Sequence, residues 1–206
     1  VEQAITAGAV NLMVAGNGIV HSERAGSDLE ATAYQHGIQS WIALPAEQEE
    51  IDAAFTHYQA ADMPDFGVGG ARVRIIMGEA YGQSSPVEMF SRTLYLDVEM
   101  PAGISLDLPE GEEELAFYVV EGAVEVDGET VGRGVMAVAC PGGRVALSAL
   151  EDSRVMVVGG DNIGPRTIFW NFVSSRPERV DQAKQDWLDG NFTGVPGDEE
   201  CIPLPD

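Results

Sequence analysis

A chain of 206 residues, 45% of them apolar, is long enough for one large or two small domains with a real core, and it is neither disordered nor low-complexity. Its formal charge of -23, from 34 acidic against 11 basic residues, repels phosphate backbones; direct nucleic-acid binding is excluded, and the plain role of the charge is a solubilising surface. Apolar runs are short and broken by Gly, Pro or charge, which excludes a helical membrane span, and no basic stretch followed by an apolar one opens the chain as a secretion signal would.

The first readable stretch, "AGAVNLMVAGNGIVHSE" (7–23), alternates turn, apolar strand, glycine turn and a second strand. On that second strand Val20 and Ser22 share one side, while Ile19, His21 and Glu23 share the other. An i, i+2 pair of this kind presents imidazole and carboxylate to a single ion, provided further ligands arrive from elsewhere. Next, residues 43–70 read as an acidic linker: they hold Pro45 and Pro64 and end in Gly67, Gly69 and Gly70. His57 lies in this linker and is expected on the surface.

From residue 71 to about Gly160 the chain is a series of short β runs: "RVRIIMG" (72–78), "TLYLDVEM" (93–100), "LAFYVVEG" (115–122) and "RVMVVGG" (154–160). Asp127-Gly128 sits between two alternating stretches as a two-residue hairpin turn. Regular spacing of this sort argues for a sandwich or barrel rather than βα units. The tail turns helical: Ser175 and Glu178 have capping-box spacing, Pro177 suits the first turn, and Gly190 is a stop. Val180, Ala183, Trp187 and Leu188 fall on one face of that helix, which is expected to pack against the β core.

Several motifs are absent. "GVGGAR" (67–72) does not match the dinucleotide fingerprint, and there is no GxSxG, Walker loop or CxxC. Cys140 and Cys201 read as free thiols of a reducing cytoplasm, where the "NFT" sequon (191–193) has no meaning.

One offset superposes the chain on itself. A shift of 126 sets residues 7–23 against "RGVMAVACPGGRVALSA" (133–149), matching Gly8 with Gly134, Gly16 with Gly142 and Ser22 with Ser148. Two copies of one β domain is the economical reading. His21 and Glu23 then correspond to Leu147 and Ala149, so the fold does not itself require polar side chains there, and the second copy is expected to be metal-free. Counterparts of the strands at 115–126 would precede Val1, so the first domain is expected to be incomplete as given.

With these residues in view, the chain resembles the pirin family from about Ile5 to Pro205. "AGNGIVHSE" (15–23) resembles that family's AGRGIxHSE stretch and "HGIQSWIALP" (36–45) its HGxQLWVxLP stretch. "LYLDVEM" and "FYVVEG" resemble its second-barrel strands, and "GPRTIFWNFVSS" (164–175) with "VPGDEECIPLP" (195–205) the tail of a bacterial subfamily. The resemblance implies an all-β double cupin, its first barrel incomplete, plus a C-terminal α-helix. The implied divisions are a remnant of the first cupin at 1–45, the linker at 46–70, the second cupin at 71–173 and a helix with tail at 174–206.

It also implies three histidines and a glutamate around one divalent metal, Fe(II) above all. His21 and Glu23 match the third histidine and the glutamate; the other two histidines belong to an HPHxG motif that this chain lacks. His36 falls where the family has no ligand, and Asn17 stands where it usually has arginine. The implied activity is that of a quercetin 2,3-dioxygenase on a flavonol or other phenolic substrate, with Glu23 as ligand and base. The alternatives are an iron-dependent regulator that binds a transcription-related protein partner, or a chain whose ligand set is broken. A cytoplasmic monomer is expected in either case.

Overall fold

The structure is a computed structural model and describes residues 1–24, 36–198 and 200–205. The chain divides into two compact units that interleave in sequence: residues 1–13 with 55–163, and residues 14–54 with 164–206. This division differs from the four segments that the resemblance implies: the tail clusters with the segment that carries His21.

The larger unit is built from two antiparallel sheets. One has six strands, in the order Met136–Val138, Glu114–Glu121, Ser153–Gly160, Thr93–Met100, Ala71–Met77 and Asp65–Val68. The other has four, in the order Glu129–Gly132, Ala123–Val126, Ala146–Ala149 and Ser105–Asp107. Alternation decides which face is buried: Val73 and Ile75 pair with Val98 and Leu96, and Val155 and Val157 with Val119 and Phe117, all sealed from solvent. Leu106, Val124, Leu147 and Ala149 of the four-stranded sheet join the same core. Asp127 and Gly128, with φ of 49° and 80°, make the tight hairpin that their dipeptide predicts.

The stretch 46–70 is not a linker. It folds into a 3-10 turn (Ala46–Gln48), a strand (Ala54–Tyr58), a second 3-10 turn (Ala60–Asp62) and the edge strand Asp65–Val68. The glycines that suggested looseness form a hairpin turn, Gly69 and Gly70 taking φ of 58° and 94° so that Asp65–Val68 folds back on Ala71–Met77. Ala54–Tyr58 pairs with Val10–Val14. That pairing half-buries His57, whose Nδ1 lies 2.7 Å from Oδ1 of Asn11 in a hydrogen bond, correcting its expected place on the surface.

In the smaller unit, a hairpin (Thr167–Phe169 with Phe172–Ser174) leads into the helix Pro177–Leu188. The helix packs on that hairpin, burying Val180 and Ala183, while Leu188 stays 65% exposed and off the buried face. The capping box does not form. Arg176 is the N-cap residue, and Ser175 instead gives both its N–H and its hydroxyl to the carboxylate of Glu49. Glu49 also accepts from the Ser174 hydroxyl and pairs with Arg166 at 2.8 Å, with both charged side chains over nine-tenths buried. A carboxylate so enclosed is tolerated because every partner is a donor. Among the described residues no helix is long and apolar enough to cross a membrane.

Candidate functional site

The site begins at the turn 15–18. A Cβ on Gly16, at φ 49°, would stand 2.1 Å from the Ile51 carbonyl oxygen, and one on Gly18 would meet the Phe192 ring at 2.9 Å. Only glycine fits either place. The turn is then tied by its backbone: Asn17 N–H donates to the Ile51 carbonyl at 2.9 Å, and Arg179 Nη2 donates to the Asn17 carbonyl at 3.0 Å. Phe192 itself belongs to an aromatic cluster with Phe172 and Trp187, ring centroids 5.6–6.5 Å apart. The Asn17 side chain, where arginine is usual, lies at an exposed position.

Beyond the turn the expected second strand is missing. Residues 19–24 carry no strand ladder, whereas the equivalent residues Ala146–Ala149 pair on both sides, with Ser105–Asp107 and Ala123–Val126. The cause is the lack of any described strand beside 19–24 to take its N–H and C=O groups. The repeat is nonetheless real in its first half: Gly8 and Gly134 have φ of 77° and 81°, and Gly16 and Gly142 have 49° and 71°.

His21 and Glu23 are exposed, and neither side chain has a hydrogen-bond or ion-pair partner among the described residues. Their neighbours are engaged. Arg24 reaches Oδ2 of Asp198 through Nε at 3.0 Å and Nη2 at 2.5 Å, and its Nη2 is 2.7 Å from Glu200. The Arg24 guanidinium, hydrogen-bonded to it, holds the Asp198 carboxyl below the usual carboxylate range. The residues that residue-by-residue reading overlooked are therefore Arg24, Asp198 and Glu200. A basic residue directly after Glu23 in so acidic a chain was the available signal.

Two donors do not make a metal centre. Among the described residues no group of three or more His, Cys, Asp or Glu side chains could hold an ion, and neither His36 nor His57 completes one with His21 and Glu23. The residues present thus do not by themselves fit the four-ligand metal that the resemblance implies. Elsewhere, a cavity of about 490 Å³ opens between loops 109–115 and 139–144, and one of about 180 Å³ lies over Asp65, Arg72, Arg74, Asp97 and Arg154; neither includes His21 or Glu23.

The two sheets, their shared core and the turn-strand-turn repeat define a cupin. Residues 95–193 match the pirin C-terminal cupin domain and residues 1–42 match pirin. A pirin-like protein of Caulobacter vibrioides is 45% identical over 96% of this chain and 69% of its own length. A Pseudomonas aeruginosa protein named "Putative quercetin 2,3-dioxygenase" is 32% identical over 92% of this chain, which spans 59% of that protein's length. The crystal structure of a quercetin 2,3-dioxygenase from Acinetobacter baumannii superposes with a TM-score of 0.73 at 24% identity, covering 81% of this chain and 57% of that one; this likeness establishes the fold alone. The chain belongs to the pirin family.

Proposed function

We propose that the protein is a metal-dependent dioxygenase of the quercetinase kind, acting on a flavonol or related phenol, to whose metal site this chain contributes His21 and Glu23. One observation carries the reading. The strip that bears these two donors is tied down at both ends, yet their side chains have no partner among the described residues. Family membership and the name borne by the Pseudomonas relative support the substrate class. The remaining ligands come, in this reading, from outside the described residues.

A carboxylate at neutral pH accepts a proton from an acidic phenolic hydroxyl, leaving the more oxidisable phenolate and a neutral Glu23. An exposed position lets substrate reach it directly.

The test begins with metal content per chain after anaerobic purification, in wild type and His21→Ala. The expected result is about one divalent ion per chain, lost in the variant. Oxygen uptake with quercetin should then fall at least about 100-fold in Glu23→Gln, by loss of the base. Unchanged uptake in Glu23→Gln overturns the role of Glu23. Bound metal with no uptake in wild type overturns the enzymatic reading in favour of a protein-binding regulator.

A further inference from the structure

Two loops carry the chain from one sheet of the larger unit to the other: 108–113, between Ser105–Asp107 and Glu114–Glu121, and 139–145, between Met136–Val138 and Ala146–Ala149. The cavity of about 490 Å³ opens between them, with Leu115 and Ala139 of the core's edge in its lining. Part of its wall, 141–144, is the repeat counterpart of the turn at 15–18. Gly16 is closed in by the Ile51 carbonyl, whereas a Cβ on Gly142 would meet nothing within 4 Å. The same turn is covered in one copy and open in the other.

The lining holds a carboxylate at the end of an apolar face. On Ser153–Gly160 the inward side chains are Val155 and Val157, and Gly159 continues that face. A Cβ on Gly159 would stand 3.2 Å from Cγ of Glu112 and 3.1 Å from Cδ1 of Leu115. Glycine therefore leaves the room in which the stem of Glu112 lies beside Leu115. The Glu112 side chain is only 6% exposed; its Oε1 accepts from Arg92 Nη2 at 2.9 Å, and its Oε2 is buried with no donor among the described residues. Arg92 is itself 53% exposed, so water screens its charge, while the enclosed carboxylate is screened far less. Glu110, Glu113 and Asp161 also line the cavity, against the single guanidinium of Arg144. That guanidinium is already paired, 2.7 Å from Asp107 and 3.6 Å from Glu110.

We propose that this cavity binds a small organic cation, a primary ammonium group on an apolar body, with Glu112 as the anchoring charge. An ammonium group brings the positive charge that the half-satisfied carboxylate lacks. Leu115, Ala139 and Pro141 give the apolar body a surface to rest on. A bare divalent ion does not suit the place, because among the described residues no three His, Cys, Asp or Glu side chains converge to hold one. An anion would meet the surplus of carboxylates. The site uses neither His21 nor Glu23, so it stands apart from the proposed metal-dependent activity.

The test is titration of the whole chain with benzylamine, followed by amide chemical shifts, with benzyl alcohol and benzoate as controls of similar shape. Benzylamine should saturate with shifts confined to 110–115, 139–144 and 159–161, and both controls should bind at least about tenfold more weakly. Glu112→Gln keeps the shape of the side chain and should weaken benzylamine by about tenfold, the effect of taking the charge from one partner. Glu110→Gln, at an exposed position, should change binding by less than about threefold. A second readout leaves Glu112 intact: in Cys201→Ser, where Cys140 is the remaining thiol, saturating benzylamine should slow iodoacetamide alkylation of Cys140, which lines the cavity. Benzyl alcohol binding as well as benzylamine overturns the cationic class. Shifts spread over the acidic surface and unchanged in Glu112→Gln overturn the site, since they mark a mere counter-ion, and so does a Cys140 alkylation rate that benzylamine leaves unaltered.

Discussion

The two copies of the repeat share a beginning and part company at their ends. Residues 8–16 and 134–142 have glycines of like conformation flanking a short strand. After the second glycine, Ala146–Ala149 enters a four-stranded sheet and buries Leu147 completely, whereas 19–23 has no ladder and leaves His21 and Glu23 exposed. The same local pattern thus serves a core in one place and a candidate site in the other. What separates them is the neighbour: Ala146–Ala149 has a strand on each side, whereas 19–23 pairs with no strand among the described residues.

That contrast breaks most sharply at the paired positions. Leu147→Asp places an unpaired charge in the core and should cost more than about 4 kcal/mol in chemical denaturation. His21→Ala, at the position of the repeat that matches Leu147, should change stability by less than about 0.5 kcal/mol. A large loss from His21→Ala would mean that the first copy is a packed element after all.

The matched glycines give the next effect. Gly16→Ala must force its Cβ against the Ile51 carbonyl from a left-handed backbone, and about 3 kcal/mol is the expected loss. Gly142→Ala meets open space and carries only the left-handed conformational cost, about 1 kcal/mol. Equal losses would show that the turn at 15–18 is not held as described.

The smallest effect is a titration. Asp65 is held below the usual carboxylate range, chiefly by its hydrogen bond from Arg72 and also by Arg74. A depressed carboxyl contributes stability above its unfolded pKa, about 3.9, and loses it as pH falls through the lower folded value. Acid denaturation below about pH 4 should therefore be blunted in Asp65→Asn, read as a shallower loss of stability with falling pH. An unchanged pH slope would place the acid sensitivity elsewhere among the carboxylates.

Much of the larger unit was legible in the chain itself. Alternation in 72–78, 93–100, 115–122 and 154–160 marks real strands, and Asp127-Gly128 marks a real hairpin, because inward-facing side chains and positive φ are local demands. The same local signals misread 46–70, where Gly69-Gly70 punctuates a hairpin rather than a linker. They misread Ser175 too, since a capping serine and a serine bonded to Glu49, 126 residues away, look alike in sequence. His21 and Glu23 stood out from their contrast with Leu147 and Ala149 and from the family motif, while Asp198 did not.

The sequence alone therefore determined the main strands and the Asp127-Gly128 turn of the larger unit and the glycine turns of the repeat, since each depends on periodicity or on a residue's own backbone freedom. Tertiary structure alone decided that the tail joins residues 14–54, that Glu49 is buried among donors, and that Arg24 meets a carboxylate 174 residues along the chain. Contacts at such separations leave no periodic trace, because an acidic residue in an acidic tail looks the same whether it faces water or closes on an arginine.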